Sequence, residues 1–167
     1  TNYDLEFEYM ESLSGSFPAI RGFDLMNYNP LYGWDDGSTE RLIDWVSKKN
    51  GIATVCWHIN IPQDFANYTV GDPVDWTGAT YKPNKEFKVA NVVKEGTKEY
   101  EYFQLCIEDL AEQLAKAQDA GCPILFRPFH GAEGNGGLDG KGAWFWWSQD
   151  GAEDYKALWK FLYEELT

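Results

Sequence analysis

Three short apolar segments alternate along the chain with amphipathic segments, and this alternation constrains the fold more than any other feature. Each apolar segment predicts a strand, and each amphipathic segment predicts a helix. The predicted strands are residues 17–24, 52–59 and 123–130, and the predicted helices are residues 3–13, 38–50, 99–120 and 151–166. Strands separated by helices favour a parallel sheet with helices outside, because the crossover connections are right-handed. We therefore expect an α/β fold.

Several side chains with useful chemistry come at the carboxyl ends of the predicted strands. Asp24 ends the first strand, Trp57 and His58 lie near the end of the second, and His130 ends the third. In (β/α)8 barrels this edge carries the active site, and the complete fold needs at least about 200 residues. The chain has 167 residues and three predicted strands, too few to close a barrel. It is thus either a small open sheet or part of a larger barrel.

The charge of the chain excludes some partners. The net charge is −13, from 27 acidic and 14 basic residues. This field repels phosphate backbones and anionic lipid surfaces, so neither nucleic acid nor a membrane is an expected partner. A neutral ligand is not disfavoured. Aromatic residues make up 17% of the chain, which fits either a large aromatic core or a set of flat platforms for sugar rings.

Cysteine and histidine usage predicts neither a disulfide scaffold nor a metal site. The three cysteines are an odd number without zinc-ligand spacing, and two of them lie in or beside apolar strands. Both histidines of the chain, His58 and His130, end predicted strands. No nearby cluster of carboxylates or thiols supports metal binding by this pair. We expect no metal and no cofactor.

A glycine-rich segment with an aromatic cluster follows the third strand. Residues 131–142 contain six glycines, and the run WFWW follows at residues 144–147. The cluster predicts either a hydrophobic plug that begins the last helix or an aromatic wall for a sugar ring. Glu133 and Asp139 are the carboxylates of this segment, and such groups are usually solvated in so acidic a chain. Residues 62–96, in contrast, read as one long polar loop, and loops of this length are rarely without a role.

Four blocks of sequence together resemble glycoside hydrolase family 26, which consists mainly of β-mannanases. The blocks are FPAIRGFD at residues 17–24, TVCWHINIP at 54–62, ILFRPFH at 124–130 and WFWW at 144–147. The resemblance covers essentially the whole chain. It implies a (β/α)8 TIM barrel, of which residues 1–167 look like strand 2 through helix 4, an interior segment of one catalytic domain.

The resemblance also implies an activity. Members of the family hydrolyse β-1,4-mannosidic bonds with retention by means of two glutamates. The acid/base glutamate directly follows the histidine in the pattern Arg-Pro-aromatic-His-Glu. Here the pattern reads Arg127, Pro128, Phe129 and His130, and the place of the glutamate is held by Gly131. The nucleophile is expected after Thr167, so the chain as given is expected to be inactive.

Other site residues follow from the same match. His130 corresponds to the histidine that orients the acid/base and contacts the sugar, and His58 corresponds to a second active-site histidine. Trp144 matches an aromatic wall of a subsite, whereas Trp147 is expected to be packed. The full set of expected substrate-binding residues is His58, Trp57, Trp144, Phe129, Arg127 and Glu133.

The missing carboxylate leads to further expectations. A Glu→Gly exchange is expected to open a void in which a substrate can sit uncut, and Gly131→Glu is expected to restore mannan cleavage. Glu133, two residues further on, is a weaker candidate for the same role. The expected partners are β-mannan or manno-oligosaccharides and the remaining half of the barrel, from missing sequence or a second chain. We expect a secreted, extracellular protein whose signal peptide has been removed.

Alternative functions stay open. Relatives with the same fold cleave β-1,3-1,4-glucan or β-1,3-xylan. The chain is also compatible with a non-catalytic carbohydrate-binding domain. A flavodoxin-like open sheet that binds a small ligand is a further alternative, which the absence of a phosphate-binding turn speaks against.

Overall fold

The computed structural model describes residues 2–136, 139 and 141–167. The helices are α1 (Leu5–Ser14), α2 (Ser38–Ser47), α3 (Val89–Val92), α4 (Lys98–Asp119) and α5 (Ala152–Leu166). The strands are β1 (Ile20–Asp24), β2 (Ile52–Trp57), β3 (Ile61–Pro62), β4 (Ala79–Thr80) and β5 (Ile124–Pro128). Two 3₁₀ turns lie at Trp76–Gly78 and Trp146–Ser148. The predicted alternation of helices and strands is confirmed.

The main sheet has three parallel strands in the order β1-β2-β5. In its register Asp24 lies beside Cys56, and Cys56 lies beside Arg127. Since parallel strands run in one direction, their carboxyl ends meet at one edge of the sheet. The chain segments that follow β1, β2 and β5 therefore start close together at this edge. A separate two-stranded antiparallel ladder pairs β3 with β4.

The two faces of the main sheet differ in their surroundings. On one face Phe23, Val55 and Trp57 are buried in the hydrophobic core, which α4 helps to cover. On the other face Ile20 and Leu125 are 54% and 57% exposed. We call this second side the open face. In a closed barrel, side chains that alternate with the helix-facing ones point into the barrel, and this is the position of the open-face residues.

Helix α4 anchors the core beneath the site. Thr97 caps its N-terminus by accepting a hydrogen bond from the backbone N–H of Tyr100. Tyr102 and Phe103 are fully buried, and the Tyr102 hydroxyl donates to the carbonyl of Asn60 at 2.5 Å. The helix ends before Gly121, which has a φ of +67°. The long apolar side of α4 thus fixes the chain that follows β2.

The prediction that residues 62–96 form one long polar loop is wrong. This segment contains β4 and α3. It contributes five buried hydrophobic side chains to the core, namely Phe65, Tyr68, Phe87, Val89 and Val92. Gln149 also holds it in place, since its Nε2 donates to the carbonyls of Asn84 and Phe87. Single aromatic and β-branched residues anchor the segment among polar neighbours, and so no apolar run indicates the packing.

The described residues contain neither a membrane-spanning helix nor a disulfide bond. No helix in these residues has both the length and the apolar character needed to cross a membrane. Cys56, Cys106 and Cys122 all carry free thiols.

Candidate active site

An aspartate and two histidines meet at the carboxyl edge of the main sheet. Asp24 ends β1, His58 follows β2 directly, and His130 lies two residues after β5. Asp24 Oδ2 lies 2.5 Å from His58 Nδ1, and Asp24 Oδ1 accepts hydrogen bonds from the backbone N–H groups of His58 and Met26 at 3.2 and 3.0 Å. The carboxylate is therefore held by one side-chain contact and by two backbone hydrogen bonds.

The two histidines are in direct contact. Their Nε2 atoms are 3.1 Å apart, and the two rings are nearly perpendicular, at 82°. The second nitrogen of His130, Nδ1, is buried and has no hydrogen-bond partner among the described residues. Asp24, His58 and His130 thus form a single hydrogen-bonded chain, which we call the Asp-His-His chain.

Aromatic rings pack tightly around this chain. Phe145 and Trp147 are stacked with ring centroids 4.3 Å apart and planes 12° apart. The Phe145 ring lies 5.4 Å from His58 and 5.0 Å from His130. Trp147 Nε1 donates to the carbonyl oxygen of His130 at 3.0 Å. These contacts fix the positions of both imidazoles.

Burial and these contacts determine the pKa values in the Asp-His-His chain. Burial alone raises the pKa of Asp24, but its side-chain hydrogen bond with His58 and the hydrogen bonds from the backbone N–H groups of His58 and Met26 outweigh this, and the pKa is lowered. The pKa of His130 is also lowered, first by burial and then by the neighbouring His58. At neutral pH Asp24 is therefore ionised and His130 is neutral.

A strained residue presents His130 to the site. Phe129 has a φ of +53°, which is unusual for a bulky side chain and is often found at functional sites. Its ring is fully buried and stacked on Phe103 at 6.3 Å. The Tyr155 hydroxyl donates to the Phe129 carbonyl at 2.8 Å. The left-handed backbone at Phe129 lets its ring enter the core while His130 turns toward His58.

The space beside Gly131 is filled. Gly131 has a φ of +69°, and a Cβ at this position would lie 2.6 Å from Cε2 of Phe145. Such a distance is far inside van der Waals contact, so Phe145 occupies the space where a side chain would begin. The expectation that the exchange of glutamate for glycine opens a void is wrong for this structure. The same Cβ would lie 3.6 Å from Cε3 of Trp144.

The aromatic residues that were predicted to bind substrate differ in their exposure to solvent. Trp144 is 50% exposed beside Gly131, whereas Trp147 is fully buried. Trp57 is 1% exposed and Phe129 is 0% exposed. The expectation that Trp57 and Phe129 contact a substrate is wrong, because both rings face the core on the helix side of the sheet.

The two charged residues of the predicted set make no hydrogen bond to either histidine among the described contacts. Arg127 lies on the open face, and its Nε donates to Thr54 Oγ1 at 2.7 Å. Glu133 is exposed. The pKa of Tyr155 is raised by burial and then by the charge of Glu133, which indicates that this carboxylate lies on the α5 side. No hydrogen bond within the described ranges joins Glu133 to either histidine.

An open cleft adjoins the histidines, and sequence reasoning did not assign it. Its volume is about 850 Å³, and its walls include Tyr32, Asn60, Trp76 and Tyr81. The Tyr81 ring lies 4.9 Å from His58, so one wall of the cleft packs against the Asp-His-His chain. Trp76 is 65% exposed, and Asn60 Nδ2 donates to the Tyr32 hydroxyl at 2.9 Å. An exposed tryptophan in a long loop was the available signal, but the pairing of Tyr32 with Asn60 depends on strand order.

One group of described residues meets the distances of a metal site. Donor atoms of Asp24, Cys56 and His58 lie within 4.8 Å of one another. Burial and the nearby Asp24 raise the pKa of Cys56 to about 11, so its thiol stays protonated at neutral pH. Asp24 and His58 already bind each other. We therefore assign these residues to hydrogen bonding.

The parallel sheet, with its site at the carboxyl edge of the strands, has the architecture of part of a (β/α)8 barrel. The chain belongs to glycosyl hydrolase family 26, whose family model matches residues 3–167. The resemblance to this family and the fold that it implies are both confirmed.

Three similar proteins support this assignment. A ruminal GH26 endo-beta-1,4-mannanase of known structure is 57% identical with a TM-score of 0.96, over 99% of this chain and 34% of its own. The GH26 domain of a Prevotella bryantii endo-beta-mannanase/endo-beta-glucanase is 30% identical with a TM-score of 0.75, over 96% of this chain and 50% of its own. The mannan endo-1,4-beta-mannosidase of Thermothelomyces thermophilus is 32% identical over 165 residues, which are 96% of this chain and 32% of that protein. The chain thus spans about a third of the curated relative's length.

Proposed function

We propose that the chain belongs to a β-mannan-binding protein whose hydrolytic site lacks its acid/base carboxylate. The observation that carries this proposal is the state of position 131, where a glycine directly follows the last residue of the Asp-His-His chain. The histidines are held by Asp24, and the space for a side chain is occupied by Phe145. Binding of the polysaccharide would then persist without cleavage.

The shape of the cleft suits a neutral glycan. Its volume of about 850 Å³ lies within the usual range for ligand sites, roughly 300–1,000 Å³. Trp76 and Trp144 are each at least half exposed and offer flat apolar faces for sugar rings. Asn60, Gln63 and Thr77 line the cleft with amide and hydroxyl groups that can bind sugar hydroxyls.

Retaining hydrolysis needs two carboxyl groups about 5–5.5 Å apart, one of which protonates the leaving oxygen. Such proton transfer contributes roughly 10²–10⁴-fold to the rate. Asp24 is the carboxylate bonded to the histidines, but its pKa is lowered, and a general acid needs a raised one. Glu133 is exposed and makes no contact with either histidine in the described hydrogen bonds. Neither carboxylate is suited to replace the acid.

The test is to restore the carboxylate in the full protein. Because a Cβ at Gly131 would meet Phe145, Gly131→Glu is made both alone and together with Phe145→Leu. We expect at least one of these proteins to release reducing ends from galactomannan. Gly131→Ala with Phe145→Leu is the matched control, since it changes the packing without adding a carboxylate. If neither glutamate variant releases reducing ends, the assignment of position 131 is wrong.

The glycan itself is part of the proposal. Relatives that are mannan endo-1,4-beta-mannosidases support β-1,4-mannan, and the alternatives are β-1,3-1,4-glucan and β-1,3-xylan. Side-by-side assays of the restored protein on mannan, lichenan and β-1,3-xylan separate them. A non-catalytic carbohydrate-binding domain would bind manno-oligosaccharides and gain no activity from Gly131→Glu.

We also propose that the rest of a (β/α)8 barrel covers the open face, where Ile20, Ile52 and Leu125 are about half exposed. Apolar side chains in such a row are costly in water. A secreted location fits a polysaccharide substrate, which is too large to enter a cell. The expected signal peptide and the partner segment both belong to this proposal.

A further inference from the structure

The hydrogen bonds of the Asp-His-His chain have a preferred direction. Asp24 is ionised and can only accept hydrogen bonds. The proton of its 2.5 Å contact therefore belongs to Nδ1 of His58. In the neutral form of His58 this leaves Nε2 as an acceptor. His130 must then donate from its own Nε2 across the 3.1 Å contact, which leaves its Nδ1 unprotonated.

The opposite direction is less favourable. If His58 donated from both nitrogens, it would carry a positive charge, and His130 would be protonated on Nδ1. That Nδ1 is buried without a partner among the described residues. An orphaned buried N–H group is rarer than an under-satisfied acceptor, and the neutral arrangement leaves only an acceptor unpaired. The geometry therefore favours two neutral imidazoles with opposite tautomers.

We propose that Asp24 is a positioning residue that sets the tautomers of both histidines, although it touches only His58. Asp24 orients His58, and His58 in turn orients His130. The result is a pair of rigid, uncharged rings. They lie behind Tyr81, which lines the cleft and contacts His58. Its role in ligand binding rests on the proposed function: the nitrogens of both rings are used within the Asp-His-His chain or buried, so the chain would act by holding the wall at Tyr81 rigid and uncharged for a neutral glycan.

An amide at position 24 gives a sharp test. Asp24 Oδ1 accepts from the backbone N–H groups of His58 and Met26. In Asp24→Asn the amide oxygen is held by these two donors, so the NH₂ group faces His58 Nδ1. His58 must then accept at Nδ1 and donate from Nε2. His130 in turn becomes an acceptor at Nε2 and carries its proton on Nδ1. One amide thus reverses both tautomers.

The measurement is ¹⁵N NMR of the imidazole nitrogens at neutral pH in the full protein. This chain contributes only two histidines, and His58→Gln and His130→Gln assign their signals. We expect His58 protonated on Nδ1 and His130 protonated on Nε2, with both reversed in Asp24→Asn. Asp44→Asn, at an exposed carboxylate that pairs with Lys48, should leave both unchanged.

Two results would overturn the proposal. One is a folded Asp24→Asn protein in which His130 keeps its original tautomer. The other needs no variant, since a parent protein with His58 protonated on Nε2 contradicts the inference even if Asp24→Asn fails to fold. Titration with mannohexaose tests the role in binding separately, and we expect affinity to fall up to about tenfold in Asp24→Asn. If the parent protein binds no oligosaccharide, the proposed function fails while the tautomer result stands.

Discussion

Phe145 lies where a side chain at position 131 would begin, with its Cε2 atom 2.6 Å from the Cβ position of Gly131. The Phe145 ring is itself held by stacking on Trp147 at 4.3 Å. Phe145 therefore occupies the space that any side chain at position 131 would need.

This packing leads to a prediction about stability. Gly131→Ala forces a left-handed backbone on a residue with a Cβ and drives that atom against Phe145. We expect a loss of about 1–3 kcal/mol in the free energy of unfolding, measured by urea denaturation. The same change combined with Phe145→Leu should cost less, since the smaller side chain gives way. Equal losses in the two backgrounds would mean that Phe145 does not limit the site.

Trp76 should contribute to oligosaccharide binding without contributing to stability. Its ring is 65% exposed in the wall of the cleft. We expect Trp76→Ala to weaken mannohexaose binding by about 1 kcal/mol, roughly fivefold, in calorimetric titration. Trp159→Ala is the control, because Trp159 is also partly exposed but lies on α5 outside this cleft. Similar losses in both variants would argue against a platform at Trp76.

The lowered pKa values at the site should make stability depend on pH. His130 binds a proton less readily in the folded protein than at its ordinary pKa of 6.5. Its contribution to stability is present above that pH and is lost as the pH falls through the lowered pKa. The pKa of Asp24 is also lowered from its ordinary value of 3.8, so the contribution of Asp24 to stability is lost as the pH falls below that value. We expect the melting temperature to fall on acidification, and His130→Gln to flatten the upper part of this decline. An unchanged profile in His130→Gln would contradict this assignment.

The open face should behave as an interior surface in the full protein. Leu125 is 57% exposed on this face of the present chain. If the rest of a barrel covers it, Leu125→Lys buries a charge, and a loss of several kcal/mol is expected in thermal or urea unfolding. Ala120→Lys at the exposed end of α4 is the control and should be nearly neutral. A neutral result for Leu125→Lys would mean that the open face remains in water.

The sequence was sufficient to predict the main elements but not the contacts between them. The strands of the main sheet and the helices α2, α4 and α5 each bury the apolar side that their sequence pattern indicates, whereas α1 buries no residue in this chain. Helix α3 has only four residues, and its buried Val89 and Val92 are separated by Ala90 and Asn91. No periodic signal can arise over such a length.

The placement of both histidines at strand ends was predictable from the sequence, but the contacts that join them were not. Both histidines were expected at strand ends, yet their contact joins positions 72 residues apart and depends on β2 and β5 being neighbours. The role of Asp24 depends on the register between β1 and β2. The burial of Phe129 depends on a left-handed backbone that the sequence pattern does not indicate.

The central claim is that the site binds mannan and does not cut it. The most direct test is calorimetric titration of the full protein with mannohexaose, followed by chromatographic analysis of the same sample for shorter products. We expect mannohexaose to bind the protein saturably and to remain intact after prolonged incubation. Efficient release of shorter oligosaccharides would contradict this claim, because another group would then be acting in place of the carboxylate missing at Gly131.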